Sequence, residues 1–378
     1  MSIFHKTRRG ILIGMALGCT MFALPAMADK PTVKLGFIGP LSGGNAQQGL
    51  GARGGFLLAV EQANANPDLP FQIEPVILDD ASDPQTGVSA AMRLVNDPDV
   101  IGATGHWNSS VALATMPVFA RFGVPLVVWG AISPEITRQN LPQVTRVTPT
   151  LLTENKPLME WAVNELGARR IAIVADTSDY GKANADSINE FTPEAGGEVV
   201  SVDQFPVGST DFRAIITRLK SADIDAVYFG GVITEAGIFA RQMHELELDK
   251  PILGISGIYD SELIAIAGPA AENVIVSYPA AAQTPRLEQL EADYTAAGYA
   301  DPSNPYTKFA FDGANVIILA AAAAGTEDKA ALAAAIRGIS HDGASGVITF
   351  DESGQTETPI EIRKHTVRNG EWVEYSAD

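Results

Sequence analysis

The pattern that most limits this chain is an alternation of short apolar, β-branched runs with longer segments of helical period. It runs through the sequence twice. Val33 to Ile38 reads as a strand, Phe56 to Ala63 falls in the helix after it, and Ile73 to Leu78 is the next strand. In Pro84 to Val95, the residues Val88, Ala91, Met92 and Val95 recur at i, i+3, i+4 and i+7 and form one apolar helix face. Val100 to Thr104 and Pro125 to Trp129 continue the strands. After about residue 150 the rhythm restarts with Arg170 to Asp176, Glu198 to Gln204, Ala226 to Gly230, Pro251 to Ile255 and Val274 to Ser277. Phe212, Ile215, Ile216 and Leu219 mark a helix stripe within that second series. Strand, helix, strand at this spacing predicts parallel sheets covered by helices on both faces. Two series predict an α/β chain of two Rossmann-like lobes, with a cleft at the carboxyl ends of the strands, where open α/β sheets bind ligands. Helical signal dominates from Leu287 to Arg337. The tail from Val347 to Tyr375 reads as antiparallel strands turning at Gly354 and Asn369-Gly370.

At 378 residues the chain is long enough for two separate cores. Asp plus Glu number 45 against 26 Lys plus Arg, a formal net charge of −19. That excess leaves no basic face to neutralise a phosphate backbone and excludes nucleic acid as a partner. The first 28 residues read as an export signal. His5, Lys6, Arg8 and Arg9 give a basic start, Ile11 to Pro25 is uncharged and mostly apolar, and Ala26-Met27-Ala28 is a small-x-small cleavage pattern that sets the mature start at Asp29. The apolar run is shorter than the roughly 20 residues a helix needs to cross a bilayer. Thr7-Arg8-Arg9-Gly10-Ile11-Leu12 partly matches a twin-arginine motif, so both general and twin-arginine export stay open. Cys19, the only cysteine, precedes the cleavage point, so the mature chain is expected to carry no disulfide or thiol chemistry. Val316 to Ala324, stopped by Gly325, reads as the buried end of a helix rather than a membrane span.

Gly49-x-Gly51-x-x-Gly54 fits a dinucleotide fingerprint as a string, with an acid at Asp79. About ten residues separate it from the first strand, whereas the fingerprint needs a tight strand-to-helix turn, so a glycine-rich loop feeding a closely packed helix is expected instead. There is no P-loop, HExxH or GxSxG, and the five histidines lack metal-ligand spacing. No catalytic residues, metal or cofactor are expected. His106 follows a strand but has no nucleophile and orienting acid placed with it, and reads as a hydrogen-bonded structural residue. Asp79-Asp80, Glu135 and Asp260 read as caps and solvated acids. The stronger signal is Gly105-His106-Trp107-Asn108-Ser109-Ser110, which closes the third strand and opens a helix. Asn108 or Ser109 is placed to cap that helix, and its first-turn N–H groups can hold a carboxylate without Lys or Arg. Trp107 and Trp129 stand beside the same strand ends, either in the core or on the cleft wall.

These landmarks in order resemble the periplasmic solute-binding proteins of branched-chain amino-acid ABC transporters, the Leu/Ile/Val-binding type of the type I binding fold. The resemblance covers essentially the whole mature chain. It rests on Gly39-Pro40-Leu41-Ser42-Gly43, Asp79-Asp80-Ala81-Ser82-Asp83-Pro84, Gly105-His106 with Ser109-Ser110, Ser133-Pro134-Glu135-Ile136-Thr137, Ile171-Ala172-Ile173-Val174 with Tyr180-Gly181, and Thr210-Asp211-Phe212. It implies two lobes joined by three hinge crossings, one at 31–150 plus 280–358 and the other at 151–279 plus 359–378. It also implies a non-enzymatic role in the periplasm: a monomer that binds a small solute and delivers it to a permease and its ATPase.

Carried over by motif, the resemblance assigns the ligand's carboxylate and amine to Ser109 and to the backbone of Gly130, Ala131 and Ile132. Tyr180 closes from the second lobe, with Trp107, Asn108 and Tyr306 beside the ligand. The chain departs from the family at several of these places. Ile132 stands where amino-acid binders carry threonine, Ser256 aligns with the acid that pairs the ligand ammonium, and Gln48 aligns with an aromatic lip residue. Val232 replaces a pocket tyrosine, and Ser82 and Asn108 align with a frequent cysteine pair. Asp260 or Glu235 is a candidate replacement for the missing acid. The expected ligand is a small carboxylate, by family default a branched-chain amino acid. An aromatic or other amino-free carboxylate or amide, and a ligand-presenting sensor role, are the alternatives.

Overall fold

The computed structural model describes residues 1–2, 30–280, 284–326 and 328–376. The export signal and its cleavage point therefore lie outside the described residues, apart from Met1 and Ser2. Nine elements build the first sheet and its covering helices: β1 (Thr32–Gly39), α1 (Ala46–Ala65), β2 (Gln72–Asp79), α2 (Pro84–Val95), β3 (Val100–Thr104), α3 (Ser109–Phe122), β4 (Leu126–Val128), α4 (Glu135–Arg138) and β5 (Val144–Arg146). The strands are all parallel in the order β2-β1-β3-β4-β5. β3 and β4 are buried along their whole length, which is why they read as unbroken apolar runs.

The chain then crosses to a second body of α5 (Leu151–Asn164), β6 (Arg170–Asp176), α6 (Asp179–Glu194), β7 (Glu198–Phe205), α7 (Arg213–Lys220), β8 (Ala226–Gly230), α8 (Ile233–Glu245), β9 (Ile252–Ile255), α9 (Ser261–Ala267) and β10 (Val274–Ala280). It returns to the first body with α10 (Pro285–Ala297), α11 (Thr307–Ala324), α12 (Lys329–Arg337) and a short hairpin of β11 (His341–Gly343) and β12 (Gly346–Ile348). A third passage brings β13 (Glu361–Arg368) and β14 (Glu371–Glu374) to the second sheet, whose order is β14-β13-β10-β9-β8-β6-β7. Only its β10–β13 and β13–β14 pairings are antiparallel. The result is an α/β fold of two lobes, as the two series of strands and helices lead one to expect.

Local chemistry marks the helix ends. Asp83 caps α2 by accepting from Thr86 N, with Pro84 in the first turn, and Ser178 caps α6 by accepting from Gly181 N. α3 stops at Gly123, which takes the left-handed conformation at φ 71°. α11 is long and apolar enough to span a membrane, but two-thirds of it is buried and it packs along α1 in the first lobe.

The glycine string lies inside α1, not in a loop before it. A Cβ at Gly49 would stand 1.8 Å from the Pro40 carbonyl oxygen, and one at Gly55 would stand 2.2 Å from that of Thr307. These glycines let the helix touch backbone on two sides. α1 accordingly begins ten residues ahead of Phe56, where the apolar pattern first becomes readable.

Candidate functional site

The carboxyl ends of both sheets face one cleft. The β3–α3 loop supplies Trp107 and Ser109, and the segment after β4 supplies Gly130 to Ser133. From the second lobe, Tyr180 stands on the first turn of α6, Val232 precedes α8, and Gly257 follows β9. Trp107, Gly130, Ile132, Tyr180, Val232, Gly257 and Tyr306 enclose a cavity of about 20 Å³, little more than the space of one water molecule. Trp107 and Tyr306 meet edge to face with centroids 6.0 Å apart. Trp129 belongs to the core instead: it is fully buried, stacked on Phe37, and donates from Nε1 to the Ile38 carbonyl. Tyr180 and Val232 also border a second chamber of about 540 Å³, which Asn108, Ser109 and Ser110 line from one lobe and Asp176, Thr234 and Glu235 from the other.

Donors for an anion sit at the head of α3. Asn108 occupies the N-cap position but makes no capping bond, and its Oδ1 is buried without a partner. The first-turn amides therefore stay open. Ser109 Oγ accepts from Ser133 N at 3.2 Å. The expected Ala131 donor is not available, because the Gly130 and Ala131 amides both donate to the His106 carbonyl, at 3.1 and 2.9 Å. Among the described residues no acceptor meets the Ser109 or Ile132 N–H. His106 itself is a structural hub: fully buried, with Nδ1 2.9 Å from Asp80 and Nε2 2.9 Å from Thr115 Oγ1.

Arg146, at the end of β5, is fully buried and pins the segment after β4. Its guanidinium donates to the carbonyls of Ala131 and Ser133, to Thr137 Oγ1 and to Gln355 Oε1. Burial pushes it down to about 9, so it remains charged at neutral pH.

On the second lobe, the backbone N–H of Ser256 donates to Glu154 Oε2 at 2.8 Å, and Ser256 Oγ lies 2.9 Å from Glu154 Oε1. Glu154 is fully buried in the first turn of α5, and burial pushes its carboxyl up to about 8. The two candidate replacement acids are already engaged. Asp260 caps α9 through Glu262 N and accepts from Gln48 Nε2, while Glu235 accepts from Gly208 N and has its acidity weakened by burial. Gln48 is thus brought to the cleft edge rather than to the cavity wall. Two hydrogen bonds cross between the lobes here, Gln48 to Asp260 and the Asp179 amide to Ser110 Oγ at 2.9 Å.

The profile of the periplasmic binding protein family matches residues 32–370. The chain belongs to this family. The Leu-, Ile-, Val-, Thr- and Ala-binding protein of Pseudomonas aeruginosa is 31% identical over 349 residues, covering 92% of this chain and 93% of its own. The leucine-binding protein LivK of Thermotoga maritima superposes with a TM-score of 0.82 at 27% identity, over 91% of this chain and 98% of its own. An ABC-transporter solute-binding protein of Rhodopseudomonas palustris, solved with 3,4-dihydroxybenzoic acid, gives 0.79 at 25% identity, over 91% of this chain and 96% of its own. The periplasmic binding fold accounts for the two lobes and the cleft, and its members bind solutes for ABC transporters and are not enzymes.

Within this family frame, the cleft brings together Trp107, Asn108, Ser109, Gly130, Ile132, Tyr180, Val232 and Tyr306, and Ser256 precedes the wall residue Gly257 in the same turn without lining either cavity. Arg146 and Glu154 carry much of its geometry and were not singled out from the sequence. An arginine closing a short strand and a glutamate opening a helix both read as surface residues, and only the tertiary fold buries them.

Proposed function

We propose that this chain is the extracytoplasmic solute-binding component of an ABC importer, taking a small carboxylate-bearing solute between its lobes and passing it to a permease and ATPase in the inner membrane. One observation carries the reading. The N–H groups of Ser109 and Ile132 have no acceptor among the described residues; Ile132 lines the inner cavity, whose wall has no charged side chain among the described residues, and Ser109 lines the chamber beside it. Such a seat holds an anion by main-chain dipoles, as helix N-termini do. The bonds from Gln48 to Asp260 and from Asp179 to Ser110 exist only when the lobes meet, so a ligand touching both lobes shifts the population toward closure. The inner cavity is smaller than any such solute, so entry requires the lobes to part and reclose around it.

The test is a thermal-shift panel of small amino acids, aromatic carboxylates and amides, with small-angle scattering on each hit. The expected result is a raised Tm and a smaller radius of gyration for at least one solute, and uptake in cells that loses it on deletion of the gene. Unchanged Tm and dimensions across the panel would overturn the reading.

A further inference from the structure

Behind the cavity wall stands a carboxyl that the binding reading leaves unused. Glu154 is fully buried, with Oε2 2.8 Å from Ser256 N and Oε1 2.9 Å from Ser256 Oγ. Ser256 adjoins Gly257 in the wall, and its hydroxyl neighbours that of Tyr306, another wall residue. The ionisable groups facing Glu154 are hydroxyls: Tyr180 from α6, Tyr228 from β8, Tyr278 from β10 and Tyr306 from ahead of α11. Burial holds all four well above the usual range of tyrosine, so they stay neutral. Among the described residues no cation stands beside Glu154. A carboxylate so enclosed lacks the pairing that a buried charge requires, and it keeps its proton instead.

The state of that proton sets the direction of one hydrogen bond. The Ser256 N–H can only donate, so Oε2 is an acceptor. With the proton on Oε1, that oxygen donates to Ser256 Oγ, the serine's own proton turns to the neighbouring Tyr306 hydroxyl, and the tyrosine proton is left for the cavity that Tyr306 lines. Without it, Ser256 must donate to Oε1 and accept from Tyr306, whose hydroxyl then offers the cavity only lone pairs. We infer that Glu154 is a positioning residue that, through Ser256, holds the Tyr306 hydroxyl as a hydrogen-bond donor toward the cavity, so that the site selects a small amino-free carboxylate or amide over a solute bearing an ammonium. This rests on the solute-binding reading above. An ammonium would meet a donor instead of an acceptor, and would find no free carboxylate at this position.

Titration calorimetry with benzoate and with L-leucine across neutral to alkaline pH tests the inference on the wild-type chain and on Glu154→Gln. The glutamine carbonyl accepts from Ser256 N and its amide donates to Ser256 Oγ, which reproduces the protonated arrangement at every pH. The expected result is tighter binding of benzoate than of leucine near neutrality. The benzoate Kd should rise about tenfold over the roughly two pH units in which Glu154 loses its proton. In E154Q it should stay flat at the neutral-pH value. Infrared spectra of the ligand-free protein at neutral pH should show a protonated-carboxyl band that E154Q lacks.

Absence of that band, a flat wild-type benzoate profile, or tighter binding of leucine would each overturn the inference. The wild-type band and profile decide the matter even if the glutamine variant does not fold. Binding of either probe with a flat profile defeats only this inference. No response to any small carboxylate or amide defeats the solute-binding reading, and the inference with it.

Discussion

The carboxamide of Gln48 reaches across the cleft to the carboxylate of Asp260, with Nε2 and Oδ2 2.8 Å apart. The two residues lie 212 positions apart in sequence and on different lobes, so the bond reports closure directly. Asp260 keeps its capping role on α9 through Oδ1 when Gln48 is truncated. Gln48→Ala should therefore leave the Tm of the ligand-free protein nearly unchanged while weakening ligand affinity about tenfold, the scale of one hydrogen bond to a charged group. Calorimetry against scattering of the free protein checks this. Unaltered affinity would mean that the bond adds nothing to the closed state.

Arg146→Met tests the buried guanidinium. The substitution removes the donors to the Ala131 and Ser133 carbonyls, to Thr137 and to Gln355. Buried acceptors left unpaired cost about 1–3 kcal/mol each before relaxation. The expected loss is about 3 kcal/mol or more, read as a lower Tm, together with weaker ligand binding because the segment carrying Ile132 is no longer pinned. A variant with wild-type Tm would show that water replaces the guanidinium without cost.

Gly257→Ala probes the cavity wall more gently. A Cβ there would stand 2.3 Å from the Tyr180 hydroxyl, the far end of a side chain that can swing aside. The displacement moves Tyr180 within the cavity rather than breaking the core. The expectation is a loss of affinity with a Tm change of less than about 1 kcal/mol equivalent, well below a core defect. Gly49→Ala gives the contrast. Its Cβ meets the fixed Pro40 carbonyl at 1.8 Å, so it should destabilise the fold by about 1–3 kcal/mol or more. Equal behaviour of the two variants would contradict this division.

Much of the architecture is legible because it rests on periodicity. Val100 to Thr104 and Ala226 to Gly230 are covered on both faces, so they are mostly apolar, and the hydroxyls of Thr104 and Tyr228 are hydrogen-bonded within the fold. The α2 stripe must repeat at helical spacing to meet the sheet. The site is less legible, because its residues act through contacts that no spacing encodes. Asn108 has the composition of a helix cap, yet its side chain makes no cap. Ala131 lies where an amide donor is expected, yet the His106 carbonyl takes that amide first. The α1 glycines look like a loop because glycine disfavours helices, but here close approach to Pro40 and Thr307 demands them. Glu154 and Arg146 are charged residues in a chain rich in charge, and nothing local distinguishes a buried one from a solvated one.

Glu154 also leaves a signature on stability that needs no ligand. Its carboxyl is raised from the ordinary 4.5 to about 8 by burial. Between those values the folded state holds a proton that the unfolded chain has released, so rising pH favours unfolding through this range. The stabilisation from this group is complete below the unfolded value and is lost as pH climbs to the folded one. Each unit of pH within the window should lower stability by about 1.4 kcal/mol relative to a variant that does not titrate there. Glu154→Gln supplies that variant, because it retains an acceptor for Ser256 N. The difference in Tm between the two proteins should therefore shift steadily in favour of E154Q from about pH 5 to about pH 8 and level off above. Asp79 and Asp351, held below the ordinary carboxylate range by their hydrogen bonds, lose their stabilisation as pH falls, and they do so equally in both proteins. Parallel Tm curves for the two proteins would place the Glu154 proton outside this window and leave its carboxyl ionised in the fold.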